Sequence, residues 1–311
     1  MNKKTTIKVV CGDALSELRK LPTESVQLIV TSPPYYALRD YGKQGQIGLE
    51  PTHQEYISRL LAVLHEAMRV LKPDGVMFVN IADSYSGSGN GTNSTTDESA
   101  SASRWAKMQH KPKGITKKST VPHKSQICIP ERLKIGMVEA GFIARSTIIW
   151  HKPSCMPESV TDRFTNDFEY VFMFTKNKRY KFNQLTEPIA KSTYERVNRQ
   201  MSSDKATTGQ YRINTEKSQV YAEKVRNGLL TERNMRAVWQ ISPQANRTKH
   251  YAVFPEKLVE RLINAGSNHG DTVLDPFAGS GTTGVVAKRM RRNFIGIDLN
   301  PEYCKIMKNR L

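Results

Sequence analysis

The stretch Val273 to Gly284, VLDPFAGSGTTG, constrains the fold of this chain more than any other. The apolar run Thr272 to Leu274 reads as a strand ending at Asp275, and Val285 to Met290 reads as a helix. Between them stand Gly279, Gly281 and Gly284. A glycine-rich turn from strand to helix lets a ligand approach the backbone and sets the free amides of the helix N-terminus against it. A further strand, Phe294 to Ile297, ends in Asp298, where a carboxylate can hold the two hydroxyls of a ribose. No Gly-Lys-Ser/Thr is present to grip a triphosphate, so the spacing fits a nucleoside cofactor better than a phosphate cradle.

The same alternation runs through the rest of the chain. Ile7 to Val10 predicts a strand, Gly12-Asp13 a turn, Ala14 to Leu21 a helix and Val26 to Val30 the next strand. Ile57, Leu60, Leu61, Leu64, Met68 and Leu71 share one face of a helix over Tyr56 to Leu71, and Lys72-Pro73-Asp74-Gly75 predicts a turn before the strand Val76 to Ala82. A helix from Ile127 to about Ala140, strands over Ala144 to Trp150 and Tyr170 to Thr175, and a helix opening at Pro255 complete the pattern. Strands alternating with helices predict an α/β fold with a mainly parallel sheet.

At the C-terminal end of the strand Val26 to Val30 stands a second unusual sequence, VTSPPYYALRDYG. Two prolines followed by aromatics make an odd turn unless a stiff backbone is itself required. The two motifs together resemble those of the DNA amino-methyltransferases that use S-adenosylmethionine. That family's catalytic tetrapeptide, Asp/Asn/Ser-Pro-Pro-Tyr/Phe, is matched by Ser32-Pro33-Pro34-Tyr35, and its Phe-x-Gly-x-Gly loop by Phe277-Ala278-Gly279-Ser280-Gly281. With the catalytic motif first, the order resembles the circularly permuted β group, whose target-recognition region lies between the two motifs. The resemblance implies a permuted Rossmann-like methyltransferase sheet. It also implies that Asp275, Pro276, Phe277, Ala278, Gly279, Gly281 and Thr282 hold the methionine part of the cofactor, with Asp298 at the ribose, Asp13 at the adenine amine and Phe254 opening the helix before the cofactor strand.

The tetrapeptide has a physical rationale on this reading. An exocyclic amine of cytosine or adenine is a poor nucleophile, because its lone pair is delocalised into the ring. Acceptors around its hydrogens favour a tetrahedral nitrogen, and Ser32 Oγ with the Pro33 carbonyl are the candidates. Consecutive prolines fix the loop before the base arrives, and Tyr35 offers a face for stacking. Trp150-His151-Lys152-Pro153 follows a strand and is a candidate flank of the base pocket. The amine is unreachable inside a duplex, so the nucleotide is expected to flip out, at a cost of a few kcal/mol.

Charge supports a polyanionic partner. The 311 residues carry a net charge of +18, and Lys176 to Lys249 alone holds sixteen Lys/Arg against six Asp/Glu, more than half of it. That segment is polar and poorly periodic, and is the expected recognition region, with Arg196, Arg199, Gln200 and Arg212 suited to base edges. The expected organisation is a catalytic half over 1–175, with a mobile loop at about 84–125, a recognition region over 176–249 and a cofactor half over 250–311. Double-stranded DNA is the expected partner, and the resemblance also implies a cognate restriction endonuclease as a separate chain, an orphan role being equally compatible.

Several alternatives remain at this level. Methylation at carbon 5 of cytosine needs a Cys nucleophile, normally after Pro, and none of Cys11, Cys128, Cys155 and Cys304 follows one. Serine at position 32 favours cytosine N4, whereas adenine N6 enzymes of the family usually carry Asp or Asn there. A DNA-binding module with a vestigial cofactor site and an RNA substrate are the other readings. The cysteines lack ligand spacing and are expected to be buried thiols, with no metal site. No stretch approaches the ~20 apolar residues of a membrane span, so a cytoplasmic protein with no membrane partner is expected.

Overall fold

The computed structural model describes residues 5–87, 120–155, 157–199, 216–243 and 255–311. Phe254, Gln200, Arg212 and most of the expected mobile loop lie outside them. The chain divides into two compact units, one comprising Met1–Asn183 and Ala237–Leu311, the other Gln184–Arg236.

The larger unit is built on an eight-stranded sheet. Its strands are β1 (Ile7–Cys11), β2 (Val26–Thr31), β3 (Leu71–Ile81), β4 (Ile143–His151), β5 (Phe168–Thr175), β8 (Val238–Gln240), β9 (Thr272–Asp275) and β10 (Asn293–Asp298). The order across the sheet is β1-β10-β9-β2-β3-β5-β4-β8. All neighbours pair in parallel except β5, which runs antiparallel to both β3 and β4. The helices are α1 (Ala14–Arg19), α2 (His53–Val70), α3 (Ile129–Glu139), α6 (Glu256–Gly266), α7 (Thr282–Arg289) and α8 (Pro301–Arg310).

Burial explains the layering. Every residue of β2 is buried, as a strand covered on both faces must be. Ile29, Met77 and Val79 join the apolar sides of α1, α2 and α3 in one cluster, while Leu28 and Phe78 face the other way, toward Gly266 of α6. Strands from opposite ends of the chain meet at the centre, where β2 pairs with β9 through Leu28↔Val273 and Ile29↔Leu274. Strand order reverses at this point, and in open α/β sheets the crevice beyond the carboxyl ends of such strands is the ligand site.

Three expectations need correction. Lys72 to Gly75 does not separate helix from strand: pairing jumps from Val26↔Leu71 to Leu28↔Val76, so these residues form a bulge within β3, where Pro73 has no amide to give the ladder. Of the four cysteines only Cys304 is buried; Cys11 ends the edge strand β1 and Cys128 stands in the turn before α3, and both are exposed. The segment 176–249 does not form one module, because β8 belongs to the main sheet beside β4.

The smaller unit pairs β6 (Thr186–Pro188) with β7 (Glu232–Asn234) antiparallel and contains α4 (Lys191–Arg199) and α5 (Glu216–Arg226). Ile189, Val197, Ala222 and Val225 form its small core, with Tyr194 and Leu230 packed against it. Arg233 and Arg236 both reach Glu187. Among the described residues, no helix is long and apolar enough to cross a membrane.

Candidate catalytic and cofactor site

Parallel pairing of β2 with β9 brings the two sequence motifs together at the carboxyl ends of the central strands. Thr31 Oγ1 donates to Asp275 Oδ1 at 2.8 Å, joining residues 244 positions apart in a buried contact. Asp275 is 2% exposed and also accepts from Thr283 Oγ1 at 2.7 Å and from the Phe277 amide at 3.1 Å. Burial pushes its carboxyl up to about 6, against the three donors that favour the charge. Asp275 thus ties the end of β2, the glycine loop and α7 into one knot.

The tetrapeptide beyond Thr31 is fixed from several sides. Pro33 is buried, and Ser32, Pro34 and Tyr35 are half-buried. Tyr56 of α2 donates its phenol to the Pro34 carbonyl at 2.8 Å. Tyr35 Oη donates to Glu169 Oε2 of β5 at 2.5 Å, and Asn80 Nδ2 of β3 reaches the Tyr35 oxygen at 2.6 Å and Glu169 at 2.5 Å. Lys152, just past β4, forms an ion pair with Glu169 Oε1 and lies 4.7 Å from the Trp150 ring centroid. Burial, then the charge of Glu169, holds the Tyr35 phenol well above its ordinary value, so it remains a neutral donor. Among the described residues Ser32 Oγ makes one hydrogen bond, a long one of 3.5 Å to Tyr35 Oη. Among the described residues no hydrogen bond occupies the Pro33 carbonyl.

The glycine loop is organised differently. Gly279 and Gly281 have φ of +54° and +84°, in the left-handed region that glycine tolerates. A Cβ at Gly281 would stand 2.5 Å from Met307 Cγ of α8, whereas the space beside Gly279 is open. Asp298 closes β10: its Oδ2 accepts from the Gly279 amide at 2.8 Å and its Oδ1 from the Asn300 amide at 2.8 Å. Burial raises its carboxyl, and the two amides counter the rise. Each oxygen keeps a lone pair for a further donor. Pro276, Ala278 and Thr282 are buried, and Phe277 is half-buried against the core. Asp13 caps α1 with Oδ1, accepting from the Ser16 amide and hydroxyl at 2.9 and 2.8 Å.

Four residues of this centre escape sequence reasoning: Tyr56, Asn80, Glu169 and Thr31. Two leave a trace, because Asn80 within VMFVNI and Glu169 within FEYVFMF are polar side chains in apolar strands. Part of the basic charge is also internal. Lys176 donates to the carbonyls of Arg69 and Leu71, and Lys181 pairs with Asp271 at 2.8 Å. Asp83, Cys128 and Glu131 lie close enough to share a cation, but Asp83 is already used in capping the amides of Cys128 and Ile129.

Comparisons with known proteins bear on the chain as a whole. Residues 26–309 match the DNA methylase family of N6 and N4 enzymes. The chain is 40% identical over 300 residues to the type II methyltransferase M.Cfr9I of Citrobacter freundii, covering 96% of this chain and 86% of that one. It is 30% identical over 305 residues to the DNA adenine methyltransferase YhdJ of Escherichia coli K12, covering 97% and 82%. Its fold is similar to that of the PvuII cytosine-N4-specific DNA methyltransferase, with a TM-score of 0.63 at 22% identity over 99% of this chain and 87% of the other. The chain therefore belongs to the N6/N4 DNA methylase family and is a DNA methyltransferase.

Proposed function

We propose that this enzyme methylates the exocyclic N4 of cytosine in duplex DNA, using S-adenosylmethionine, after the target nucleotide has flipped out of the helix. The observation that carries the reading is the tetrapeptide itself: a serine at position 32, with a stiff backbone whose Pro33 carbonyl accepts no hydrogen bond among the described residues while the Pro34 carbonyl is taken by Tyr56. Ser32 Oγ and the Pro33 carbonyl are two acceptors for the two hydrogens of one amine. Their geometry is set before the base arrives, which is how a fixed polar site lowers a barrier. The half-buried ring of Tyr35 supports the base from one face.

The donor set beyond β9 and β10 fits the cofactor. Asp298 offers acceptor lone pairs for a ribose diol, and the open side of Gly279 admits a ligand against the backbone. When bound, S-adenosylmethionine supplies an electrophilic methyl group. The residues of this chain orient the amine and, through the buried Thr31–Asp275 contact, hold the loop in place. Asp13 is engaged through one oxygen in capping α1, and its second oxygen is the candidate contact for the adenine amine.

The unit Gln184–Arg236, with the basic residues around it, is the candidate for reading the DNA sequence. A restriction endonuclease on a separate chain is the proposed partner, in keeping with the type II methyltransferase name of the Citrobacter relative. A second reading, methylation of adenine N6, is favoured by one observation, the 30% identity to an adenine methyltransferase. Digesting plasmid DNA from expressing cells and identifying the modified nucleosides by mass separates the two. N4-methylcytosine supports the proposal, and N6-methyladenine replaces it.

A further inference from the structure

The hydrogen bonds behind the tetrapeptide have a direction, and that direction decides what Ser32 can offer a substrate. Glu169 stands near the start of β5, is 8% exposed and meets Tyr35, Asn80 and Lys152. Lys152 supplies its counter-charge. An ionised carboxylate only accepts, so the Tyr35 proton must point at Glu169. The Tyr35 oxygen then accepts, from Asn80 Nδ2 at 2.6 Å and from the Ser32 hydroxyl at 3.5 Å. With its proton on the Tyr35 oxygen, the Ser32 hydroxyl keeps its lone pairs for an incoming donor. An amine presenting its hydrogens needs lone pairs there, and a serine turned the other way would offer it a proton. Asn80 is only 1% exposed and keeps its amide hydrogens on this pair although its Oδ1 is left without a partner among the described residues. A buried polar group left unpaired is costly, so the arrangement is held against a penalty.

We propose that Glu169 is a positioning residue that acts on Ser32 through Tyr35, fixing the serine hydroxyl as an acceptor for the target amine. This rests on the reading of the reaction as transfer to an exocyclic amine. It gives a role to a carboxylate 137 residues along the chain from the serine, which neither motif contains.

The experiment is a single-turnover assay of methyl incorporation into duplex DNA at saturating S-adenosylmethionine, run on a double-mutant cycle. Glu169→Gln introduces an amide that can donate to Tyr35 and reverse the chain. Its rate is expected to fall about 10- to 100-fold, with cofactor affinity within about twofold of wild type. In a Ser32→Ala background the same substitution is expected to change the residual rate by less than twofold, because the group it acts on is gone. A fall of equal factor in both backgrounds overturns the proposal, since a merely structural role lowers every rate alike. An unchanged rate for Glu169→Gln in the wild-type background overturns it too. Tyr35→Phe provides an independent arm that keeps the Lys152–Glu169 pair intact and must show the same fall and the same dependence on Ser32. Wild-type incorporation is scored irrespective of which base is methylated, and the base is identified separately by mass. Failure of the coupling therefore counts against Glu169 alone, and a different methylated base counts against the cytosine assignment alone.

Discussion

The tetrapeptide loop after β2 is held by side chains reaching in from α2, β3, β5 and β9, whereas the glycine loop after β9 is held mainly by its own amides. Asp275, Tyr56, Asn80 and Glu169 surround the first. In the second, the Ala278 amide bonds the Ile297 carbonyl, the Gly281 amide bonds the Ala278 carbonyl, and Gly279 reaches Asp298. On the proposed roles, the difference follows from what each loop must leave free. A loop that offers lone pairs has to have its carbonyls and hydroxyl placed by outside groups, and prolines, having no amide, cannot do this for themselves. A loop that offers a backbone surface needs unusual dihedral angles, which glycine supplies locally. Rigidity at one site is thus distributed across the fold, and at the other it is written into a few consecutive residues.

Substitutions can break this contrast. The largest expected effect is that of Ser32→Ala, which removes a preorganised acceptor: methyl-transfer rate should fall roughly 10²- to 10³-fold, with cofactor binding by calorimetry little changed. Gly281→Ala should do the reverse. A non-glycine residue at φ +84° and a Cβ 2.5 Å from Met307 together should cost roughly 3 kcal/mol, read as lower thermal stability and at least about tenfold weaker cofactor binding.

Asp275 belongs to both loops and sharpens the comparison through pH. Its folded value, raised to about 6 by burial, exceeds the ordinary carboxylate value of 3.8. The stability it contributes is fully present below the unfolded value and is lost as pH rises through about 6. Measured against Asp275→Asn, wild-type unfolding free energy should therefore rise by on the order of 2 kcal/mol as pH falls from 7.5 to 4, and a flat difference would remove the burial argument. The smallest expected effect is that of Tyr56→Phe. Losing one hydrogen bond to the Pro34 carbonyl should cost about 1 kcal/mol of stability and slow transfer severalfold, although Tyr56 touches neither motif in sequence.

The same contrast explains what the sequence could reveal. The glycine loop is legible because its cause is local: Gly279 and Gly281 are needed where they stand, and Asp298 ends the next apolar run. Ser32 to Tyr35 is legible as a motif, but not the groups that place it, because Tyr56, Asn80 and Glu169 arrive through strand register and helix packing over separations of 22 to 134 residues. The bulge at Lys72 to Gly75 reads as a turn because proline and glycine signal an interruption without saying whether pairing resumes. β8 is only three residues long and offers no periodicity to read, so its place beside β4 depends on tertiary pairing. The helices α4 and α5 lie in polar sequence, and their apolar contributions to the small core, Val197, Ala222 and Val225, are too sparse to stand out.

The Thr31–Asp275 contact also orders events in time. A ribosome adds about 5 to 20 residues per second, and 244 residues separate the two side chains, so the strand leading to Ser32 is complete roughly 12 to 50 seconds before its partner is made. Until then β2 lacks one of its two neighbours and the tetrapeptide lacks its anchor. Nascent chains and products of termination before β9 therefore carry Ser32 to Tyr35 without the strand that pairs with β2 and the carboxylate that anchors its end.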